Sequence, residues 1–416
     1  MASSARPATA PAELDLRSDF PILSREIGGR CLVYLDSAST SQKPQRVLAA
    51  MDDYYRMHNA NIHRGVYQLA QEADALFEGA RERIAAFTGA AAYSTIFTKN
   101  VTEAINLVAY SWARTNLTRG DAILVTEMEH HSNLVPWQLA AAATGSALRY
   151  LEVDESGELS LEQLDAELAR GDVRLVALAH VSNVLGTTNP VGEIVRRAHA
   201  AGALVLLDAA QAVPQMPVNV GEIGADFYAW TGHKTLGPTG VGVLHGKAEL
   251  LERMPPFLGG GDMIEQVGRE RSTWKELPWK FEAGTSMIAE VIGLGAAVDY
   301  LVELGMDRVR EHELGLTTYA LAELGSLAGV ATFGPADARD RGGVVSFVVD
   351  GVHPHDVAEL LGRANVCVRA SHHCAQPLMA KLGVTSTVRA SFGPYNRRED
   401  VDALVGAVRG AQKVFA

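Results

Sequence analysis

Apolar runs alternate with helical runs from about residue 93 to residue 244, and this alternation constrains the fold of the 416-residue chain most strongly. Continuous apolar strands separated by amphipathic helices are typical of a parallel or mixed sheet covered on both faces. The pattern predicts strands at residues 94–98, 122–125, 174–179, 203–207, 226–230 and 241–244. It predicts helices at residues 103–114, 134–143, 161–170 and 191–200, and earlier ones at 44–58 and 69–87. The expected fold class is therefore α/β.

The C-terminal part of the chain has a different pattern and predicts a smaller α+β domain. Strands are expected at residues 343–349, 366–369 and 387–392, with helices at 355–363 and 399–411. A helical segment over about 285–325 leads into this part. We expect a large domain over 36–300 and a small domain over 301–416. Residues 1–12 are interpreted as a disordered tail, and 13–35, with a short strand at 31–35, as a segment that packs with the small domain.

Composition excludes several classes of protein. The net charge of -12, without a basic run, argues against a nucleic-acid surface. No uninterrupted apolar segment reaches the length of a membrane span. The first residues lack the apolar core of a secretory signal. The odd count of 3 cysteines, without paired spacing, fits a reducing compartment, and we expect a cytoplasmic protein.

Lys234 lies in a Gly- and Pro-rich turn, TGHKTLGPTGVG, directly after a predicted strand. A lysine whose pKa is depressed by burial or by a nearby cation is a nucleophile that forms Schiff bases with aldehydes such as pyridoxal phosphate. The alternative from this stretch alone is a loop lysine that faces water. The polar residues near the other strand ends distinguish the two interpretations.

Ligands on α/β sheets bind at the carboxyl ends of the strands, where this chain concentrates its polar residues. Asp208 ends the run ALVLLD and suits a protonated heterocyclic nitrogen, and Gln211 suits a phenolic oxygen. His130 suits both stacking on a ring and a catalytic role in moving protons. Each of these has an alternative role as a cap, a turn residue or a surface group. Further candidate contacts to a phosphate, the ring or a substrate are Thr102, Asn183, Thr231 and His233. Their occurrence together favours a pyridoxal-phosphate site.

The chain resembles the SufS-type cysteine desulfurases of the class V aminotransferase family. The resemblance rests on NIHRGV, TEAINLVA, MEHHSNLVPWQ, HVSNVLGT, LLDAAQAVP, TGHKTLGPTGVG, GGGDMI, FEAGT, CVRASHHCAQPLM and VRASFGPYN. The resemblance runs from LDSAST, at residues 35–40, to SFGPYN, at residues 391–396, nearly the whole chain. The resemblance implies a fold type I enzyme with a mainly parallel seven-stranded sheet and pyridoxal 5'-phosphate as cofactor.

The resemblance also implies roles for individual residues. Lys234 would form the Schiff base, and Asp208, Gln211, His130, Thr102, Thr231 and His233 would hold the cofactor. Arg389 would clamp the substrate carboxylate, with Arg369, His63 and Asn183 as neighbours in the active site. Thr285 would reach the cofactor phosphate of a partner subunit, which implies a homodimer. The stretch FEAGTSM departs from the usual FEAGTPN, and DAAQ departs from DGAQ.

Cys374 determines which reaction the lysine would serve. It lies in the polar turn RASHHC, where arginine and imidazole groups stabilise a thiolate nucleophile. Cys31 and Cys367 fit buried structural cysteines better. A metal site made by His353, His355, His372, His373 and Cys374 is an alternative that the spacing permits. In the resembled family the cysteine accepts sulfur as a persulfide.

The sequence therefore predicts conversion of L-cysteine to L-alanine, with sulfur passed to an iron–sulfur cluster scaffold. The acceptor would be of the SufU or SufE type, and His355 would engage the zinc site of a SufU-type partner. Selenocysteine lyase and transamination are the alternatives among enzymes. A non-catalytic pyridoxal-phosphate-fold regulator would have lost Lys234 or Asp208, and an acceptor-only sulfur carrier would not need the cofactor residues.

Overall fold

The computed structural model describes residues 14–415, so the tail predicted at 1–12 lies outside the described residues. The strands are β1 (Glu26–Ile27), β2 (Arg30–Cys31), β3 (Val33–Tyr34), β4 (Thr95–Thr98), β5 (Ala122–Thr126), β6 (Ala147–Leu151), β7 (Val173–Ala179), β8 (Leu204–Asp208), β9 (Phe227–Thr231), β10 (Gly242–Gly246), β11 (Ile264–Val267), β12 (Ser272–Trp274), β13 (Val330–Phe333), β14 (Val344–Val349), β15 (Val366–Cys367), β16 (Arg369–Ser371) and β17 (Thr387–Ser391).

The helices are α1 (Gln45–Asp53), α2 (Gln68–Phe87), α3 (Val101–Val108), α4 (Arg114–Asn116), α5 (Val135–Thr144), α6 (Leu161–Leu168), α7 (Val191–Ala200), α8 (Val220–Ile223), α9 (Ala248–Arg253), α10 (Ile288–Leu304), α11 (Met306–Gly325), α12 (Pro354–Arg363), α13 (Gln376–Lys381) and α14 (Arg398–Phe415). Two π-helical turns, Tyr54–His58 and Ala109–Ala113, extend α1 and join α3 to α4. Within residues 14–415, no helix combines the length and the apolar character that crossing a membrane requires.

The central sheet has 7 strands in the order β4-β10-β9-β8-β7-β5-β6. Strands β5 to β9 run parallel to one another. Strand β10 runs antiparallel to both β4 and β9. The carboxyl ends of β5, β7, β8 and β9 therefore lie at one edge of the sheet. The polar residues that follow these strands are brought together there.

Helices cover both faces of this sheet, which is why its strands are continuously apolar rather than alternating. Leu207 packs into one core with residues of α2, α7 and α10, whereas Leu206 packs into a second core with residues of α3 and α5. Trp230 lies in the first core and Trp137 in the second, and both are fully buried. The two cores fix the sheet from both sides and make its polar edge a rigid platform.

The small domain contains a four-stranded antiparallel sheet in the order β13-β14-β17-β16. Strand β15 pairs in parallel with β3, which joins Val33 to Val366 and Tyr34 to Cys367. The segment before residue 36 thus contacts the small domain through backbone hydrogen bonds. Residue Asp36 then bridges to Ser391 of β17, so the chain enters the large domain next to the small sheet.

The structure differs from the sequence-based expectations at several elements. Strands β6 and β13 were not predicted, because both are edge strands with partly exposed residues and no continuous apolar run. The helical segment expected at 285–325 is two helices separated by Gly305, whose φ of 82° is not helical. The strands expected at 31–35 and 366–369 are each divided into two short strands.

Candidate active site

Lys234 lies one turn beyond β9, in the short 3-10 turn Gly232–Lys234. The side chain is half-buried, and burial lowers the pKa of its amine to about 8. The charge of Arg389 lowers the pKa of this amine further, whereas Asp208 and Cys374 raise it. Among the described residues, no carboxylate forms an ion pair with Lys234 at contact distance. The amine is therefore available to a ligand at near-neutral pH.

Asp208 is the last residue of β8 and pairs in register with Ala229 of β9. It is buried, its Oδ1 accepts a hydrogen bond from the Ala210 N–H at 3.0 Å, and burial raises its pKa. A buried carboxylate without an ion pair is costly unless a cationic partner arrives. Asp208 thus fits a protonated ring nitrogen.

His130 follows β5, and its Nδ1 accepts a hydrogen bond from the Ser132 N–H at 3.0 Å. This bond leaves the ring proton on Nε2 in the neutral tautomer. Burial, followed by the charge of Lys234, lowers the pKa of His130 to about 3. The imidazole therefore stays neutral at physiological pH, which suits stacking on a ring.

Glu129 anchors the loop that carries His130. Its carboxylate accepts hydrogen bonds from the Thr126 hydroxyl at 2.6 Å, the Asn133 amide at 2.6 Å and the Ala179 N–H at 3.0 Å. The last bond ties the loop to the end of the neighbouring strand β7. Glu129 is buried, and burial raises its pKa to about 8.

The residues predicted to contact a phosphate lie near the start of α3 and the end of β9. Thr102 is exposed in the first turn of α3, its hydroxyl is 2.7 Å from the Ser132 hydroxyl, and it lines a surface hollow of about 610 Å³. Thr231 is buried, and burial lowers the pKa of His233 to about 4. Helix starts offer free backbone N–H groups, so Thr102 is suitably placed for an anion.

Gln211 is buried below this platform, and its Nε2 donates to the Ala38 carbonyl at 2.8 Å. One amide hydrogen of Gln211 is thereby used to hold the segment after residue 35. The second hydrogen remains for a ligand oxygen.

Arg389 reaches the same edge from β17 of the small domain. Its Nη1 donates to the Asn183 carbonyl at 2.8 Å and its Nη2 to the Ser39 hydroxyl at 2.6 Å. Its Nε is buried without a hydrogen-bond partner, and burial lowers the pKa of the guanidinium to about 10. A buried, unused N–H on an arginine fits a carboxylate ligand, because a hydrogen bond between a guanidinium and a carboxylate is charge-assisted and strong.

The loop with Cys374 lies against the platform. The His131 N–H donates to the Cys374 carbonyl at 2.7 Å, and the Asn183 side-chain amide donates to the His373 carbonyl at 2.7 Å. The side chain of Cys374 is exposed. These two hydrogen bonds hold the cysteine loop against the segments that follow β5 and β7, at the edge of the sheet where Lys234 follows β9. The two stretches that the sequence singled out, around residues 234 and 374, therefore meet.

Four other predicted site residues lie on other segments: His63 before α2, Thr285 before α10, His355 on α12 and Arg369 on β16. His63 bonds to Glu78 at 3.1 Å and packs against Trp279. Thr285 is exposed, and so is His355 at the start of α12. Arg369 is also largely exposed and pairs with Asp36 at 2.9 Å.

The alternative metal site is not formed. Within residues 14–415, the group with ligand spacing is His355, Asp356 and Glu359, which are all exposed and do not include Cys374. The expectation of a buried Cys31 is wrong, since Cys31 is exposed in a two-stranded hairpin. Cys367 is half-buried, and burial raises its pKa.

Two site residues were missed from the sequence, Asp36 and Lys43. Asp36 accepts hydrogen bonds from Arg369 and from Ser39 and lies 3.5 Å from Arg389. Lys43 Nζ donates to the His233 carbonyl at 2.8 Å, beside Lys234, and burial lowers its pKa to about 7. Asp36 lies in the stretch LDSAST, but its arginine partners are more than 300 residues away along the chain. The sequence around Asp36 therefore does not indicate them.

Known proteins resemble the chain over almost its full length. The family model described as Aminotransferase class-V matches residues 33–404. A probable cysteine desulfurase of Halalkalibacterium halodurans is 51% identical over 96% of this chain and 98% of its own. The crystal structure of a cysteine desulfurase of Escherichia coli, in an S-sulfonic acid form, has a TM-score of 0.89 at 40% identity and covers 96% of this chain and 98% of that one.

An apo cysteine desulfurase of Thermococcus onnurineus has a TM-score of 0.91 at 40% identity, over 97% of this chain and 100% of its own. These likenesses confirm the predicted α/β fold, with a mainly parallel seven-stranded sheet in a fold type I architecture.

Proposed function

We propose that this chain, which belongs to the class V aminotransferase family, is a pyridoxal-phosphate-dependent cysteine desulfurase of the SufS type. The observation that carries the proposal is that His131 and Asn183 hydrogen-bond the Cys374 loop to the edge of the sheet that also carries Lys234. A lysine and a carboxylate would serve many pyridoxal-phosphate reactions. A thiol within range of the same amine is what a sulfur-accepting reaction needs.

The donors and charges of the site fit pyridoxal 5'-phosphate. Lys234 would attach the aldehyde carbon, Asp208 would face the ring nitrogen and His130 would stack on the ring. Gln211 would bond the phenolic oxygen, and the phosphate would take Thr102, Thr231 and His233. When bound, the cofactor supplies an electron sink for a carbanion at the substrate Cα. The half-buried amine and the buried, unpaired Asp208 carboxylate are the two features that match this group best.

Arg389 binds the substrate carboxylate in this proposal. Its buried Nε is free, and Nη1 and Nη2 are fixed by the Asn183 carbonyl and Ser39. The guanidinium is therefore held in one orientation before the substrate arrives. Such preorganisation reduces the entropy lost on binding.

Lys234 and Cys374 carry out different steps of the proposed reaction. The neutral amine of Lys234 takes the Cα proton of the bound cysteine, which its lowered pKa permits. The Cys374 thiolate attacks the substrate sulfur, and the C–S bond breaks with its electron pair left on carbon. That carbon takes up a proton and the product leaves as L-alanine. One L-cysteine and one thiol thus become one L-alanine and one persulfide on Cys374.

A homodimer completes the site in this proposal. The hollow beside Thr102 opens to solvent in the single chain, and Thr285 is exposed. A second subunit that brings its Thr285 to this hollow would close the phosphate end. Large exposed apolar side chains before α2 support an interface there: Tyr55 58%, Met57 64%, Val66 90% and Tyr67 56% exposed.

The sulfur acceptor is proposed to be a zinc-bearing scaffold of the SufU type. His355 is exposed at the start of α12 beside Asp356 and Glu359, so its imidazole is accessible to a metal held by another protein. A SufE-type acceptor is the competing outcome. The three free cysteines fit a reducing compartment, and we place the protein in the cytoplasm.

The central experiment measures L-alanine and protein persulfide produced from L-cysteine. Wild type is expected to form both in equal amounts in the first turnover. Cys374→Ala should bind the cofactor and the substrate but make little alanine, whereas Cys31→Ala, the matched exposed cysteine, should behave as wild type. Near-normal alanine production by Cys374→Ala would refute the proposal. Selenide release from L-selenocysteine at a much higher kcat/KM would favour the lyase alternative.

A second experiment identifies the acceptor. We expect a zinc-bearing SufU-type protein to stimulate turnover and His355→Ala to lose that stimulation, with acceptor-free activity unchanged. Stimulation by a SufE-type acceptor alone would contradict the assignment.

A further inference from the structure

The loop that carries Cys374 has an unfavourable backbone conformation. His373 and Cys374 have φ values of 50° and 56°, in the left-handed region that residues with a side chain rarely adopt. Such residues are destabilising and persist only where surrounding contacts hold them. The contacts that hold this loop therefore decide where the thiol lies.

His131 contacts the loop on both sides of Ala375. Its backbone N–H donates to the Cys374 carbonyl at 2.7 Å, and its ring Nε2 accepts a hydrogen bond from the Gln376 N–H at 3.2 Å. Its ring also lies 5.6 Å from the ring of His372, which accepts the Cys374 N–H on Nδ1 at 3.0 Å. One large-domain residue thus binds the loop before and after the turn.

His130 and His131 are adjacent, but their imidazoles bind different parts of the molecule. His130 Nδ1 accepts a hydrogen bond from the Ser132 N–H within its own loop. His131 Nε2 is held by the cysteine loop. The position of the thiol is therefore tied to the position of the ring-stacking histidine through a single peptide unit.

We propose that His131 is a positioning residue, which clamps the Cys374 loop in register with His130 and does so only while its imidazole is neutral. The inference rests on the proposed function, since Cys374 is taken as the sulfur acceptor. A protonated Nε2 carries a hydrogen and repels the Gln376 N–H, which opens one of the two contacts. The loop then loses the contact that holds the residue after the turn.

The surroundings of His131 favour the neutral form. Burial lowers the pKa of His131, and the nearby His372 lowers it further. The titratable residues next to it are His130 on its own segment and His372 and Cys374 on the loop. The same two elements are also joined by Lys381 and Glu127 at 3.7 Å. At acid pH the clamp is expected to open and persulfide formation to slow.

Two substitutions at this position separate positioning from simple destabilisation. His131→Gln places an amide oxygen near the former Nε2 and restores an acceptor that does not titrate. His131→Asn carries its oxygen too close to the backbone to reach Gln376. His199→Asn, on α7 and paired with Asp226, is the matched control for loss of a partly exposed imidazole.

The experiment uses holoenzyme and follows one turnover with L-cysteine, recording the cofactor absorbance change and persulfide on Cys374 separately. His131→Asn is expected to slow persulfide formation about tenfold, the size of one lost hydrogen bond, with the absorbance change on cysteine binding retained. His131→Gln should keep the wild-type rate at neutral pH and slow less than wild type as the pH falls below 6.5, the ordinary pKa of an imidazole. The decline that Lys234 causes below about pH 8 should be common to both proteins.

Equal rates for His131→Asn and wild type, or the same decline below pH 6.5 in His131→Gln and wild type, would overturn the inference. Failure of the proposed function would look different, because wild type itself would then form no persulfide. If His131→Asn is poorly folded, the pH profile of His131→Gln alone decides the question.

Discussion

The lysine platform and the cysteine loop carry the two reactive groups in opposite settings. Lys234 is half-buried in the turn after β9, and its pKa is lowered to about 8. Cys374 is exposed on a turn with left-handed backbone. A group that moves a proton within the site needs a tuned pKa, which burial provides. A group that must hand sulfur to another protein needs access, which burial would remove.

The two regions are held in place in different ways. Glu129 and Asp208 belong to strand ends, so the sheet fixes them. The cysteine loop is held by a few contacts from outside its own domain, among them Asn183 and His131. Substitutions on the platform should therefore abolish chemistry, and substitutions around the loop should slow it.

The largest effect is expected for Lys234→Ala. Loss of the proton-transferring amine alone costs about 10²–10⁴-fold in rate, and covalent attachment of the cofactor is lost as well. Alanine production should fall by at least that factor, and the visible absorbance of the lysine-bound cofactor should disappear. Lys280→Ala, a lysine that instead binds the Leu251 and Glu252 carbonyls, is the control for removal of a buried amine. Retention of the band would show that the lysine is misassigned.

Arg389→Lys is expected to act on substrate binding more than on the later steps. Lysine keeps the charge but loses the planar fork, so one or two charge-assisted hydrogen bonds to the carboxylate are lost. KM for L-cysteine should rise roughly tenfold to a hundredfold, and kcat should change less. Steady-state kinetics of both constants provide the test. An unchanged KM with a reduced kcat would indicate that Arg389 acts in a chemical step and not in substrate binding.

The pH dependence of cofactor attachment tests the burial of Lys234. The folded pKa of about 8 lies below the ordinary value of 10.5, so the neutral, nucleophilic amine becomes the main form as pH rises through about 8. The rate of pyridoxal phosphate uptake by the apoprotein should increase over that range and level off above it. A rate that keeps rising up to about pH 10 would indicate an ordinary exposed lysine.

The smallest effect concerns the order in which the cysteines react. Cys31 and Cys374 are exposed, whereas Cys367 is half-buried with a raised pKa. Because the thiolate is the reactive form, Cys367 should be alkylated last by iodoacetamide. Mass spectrometry of peptides from timed samples measures the order. Rapid labelling of Cys367 would mean that β15 opens away from β3.

The sequence was sufficient for the α/β fold because the sheet is covered on both faces, which forces continuous apolar strands. Strands β5, β7, β8, β9 and β10 were each predicted within a few residues of their observed bounds. The edge strands β6 and β13 were not predicted, since one exposed face removes the apolar signal. The helix after residue 101 was recognised, but its π-helical turn Ala109–Ala113 was not.

Lys234, Asp208 and His130 could be predicted as site residues from residue type and position at strand ends, because parallel strands bring their carboxyl ends to one edge by geometry alone. Their pKa shifts required the tertiary structure, since burial and neighbouring charges come from distant segments. The same holds for Asp36 and Lys43, whose partners lie about 200 to 350 residues away along the chain. The sequence by itself determined which reactive groups are present and which edge of the sheet most of them occupy. Only the tertiary structure decided that Cys374 reaches that edge, because a few long-range hydrogen bonds hold its loop there.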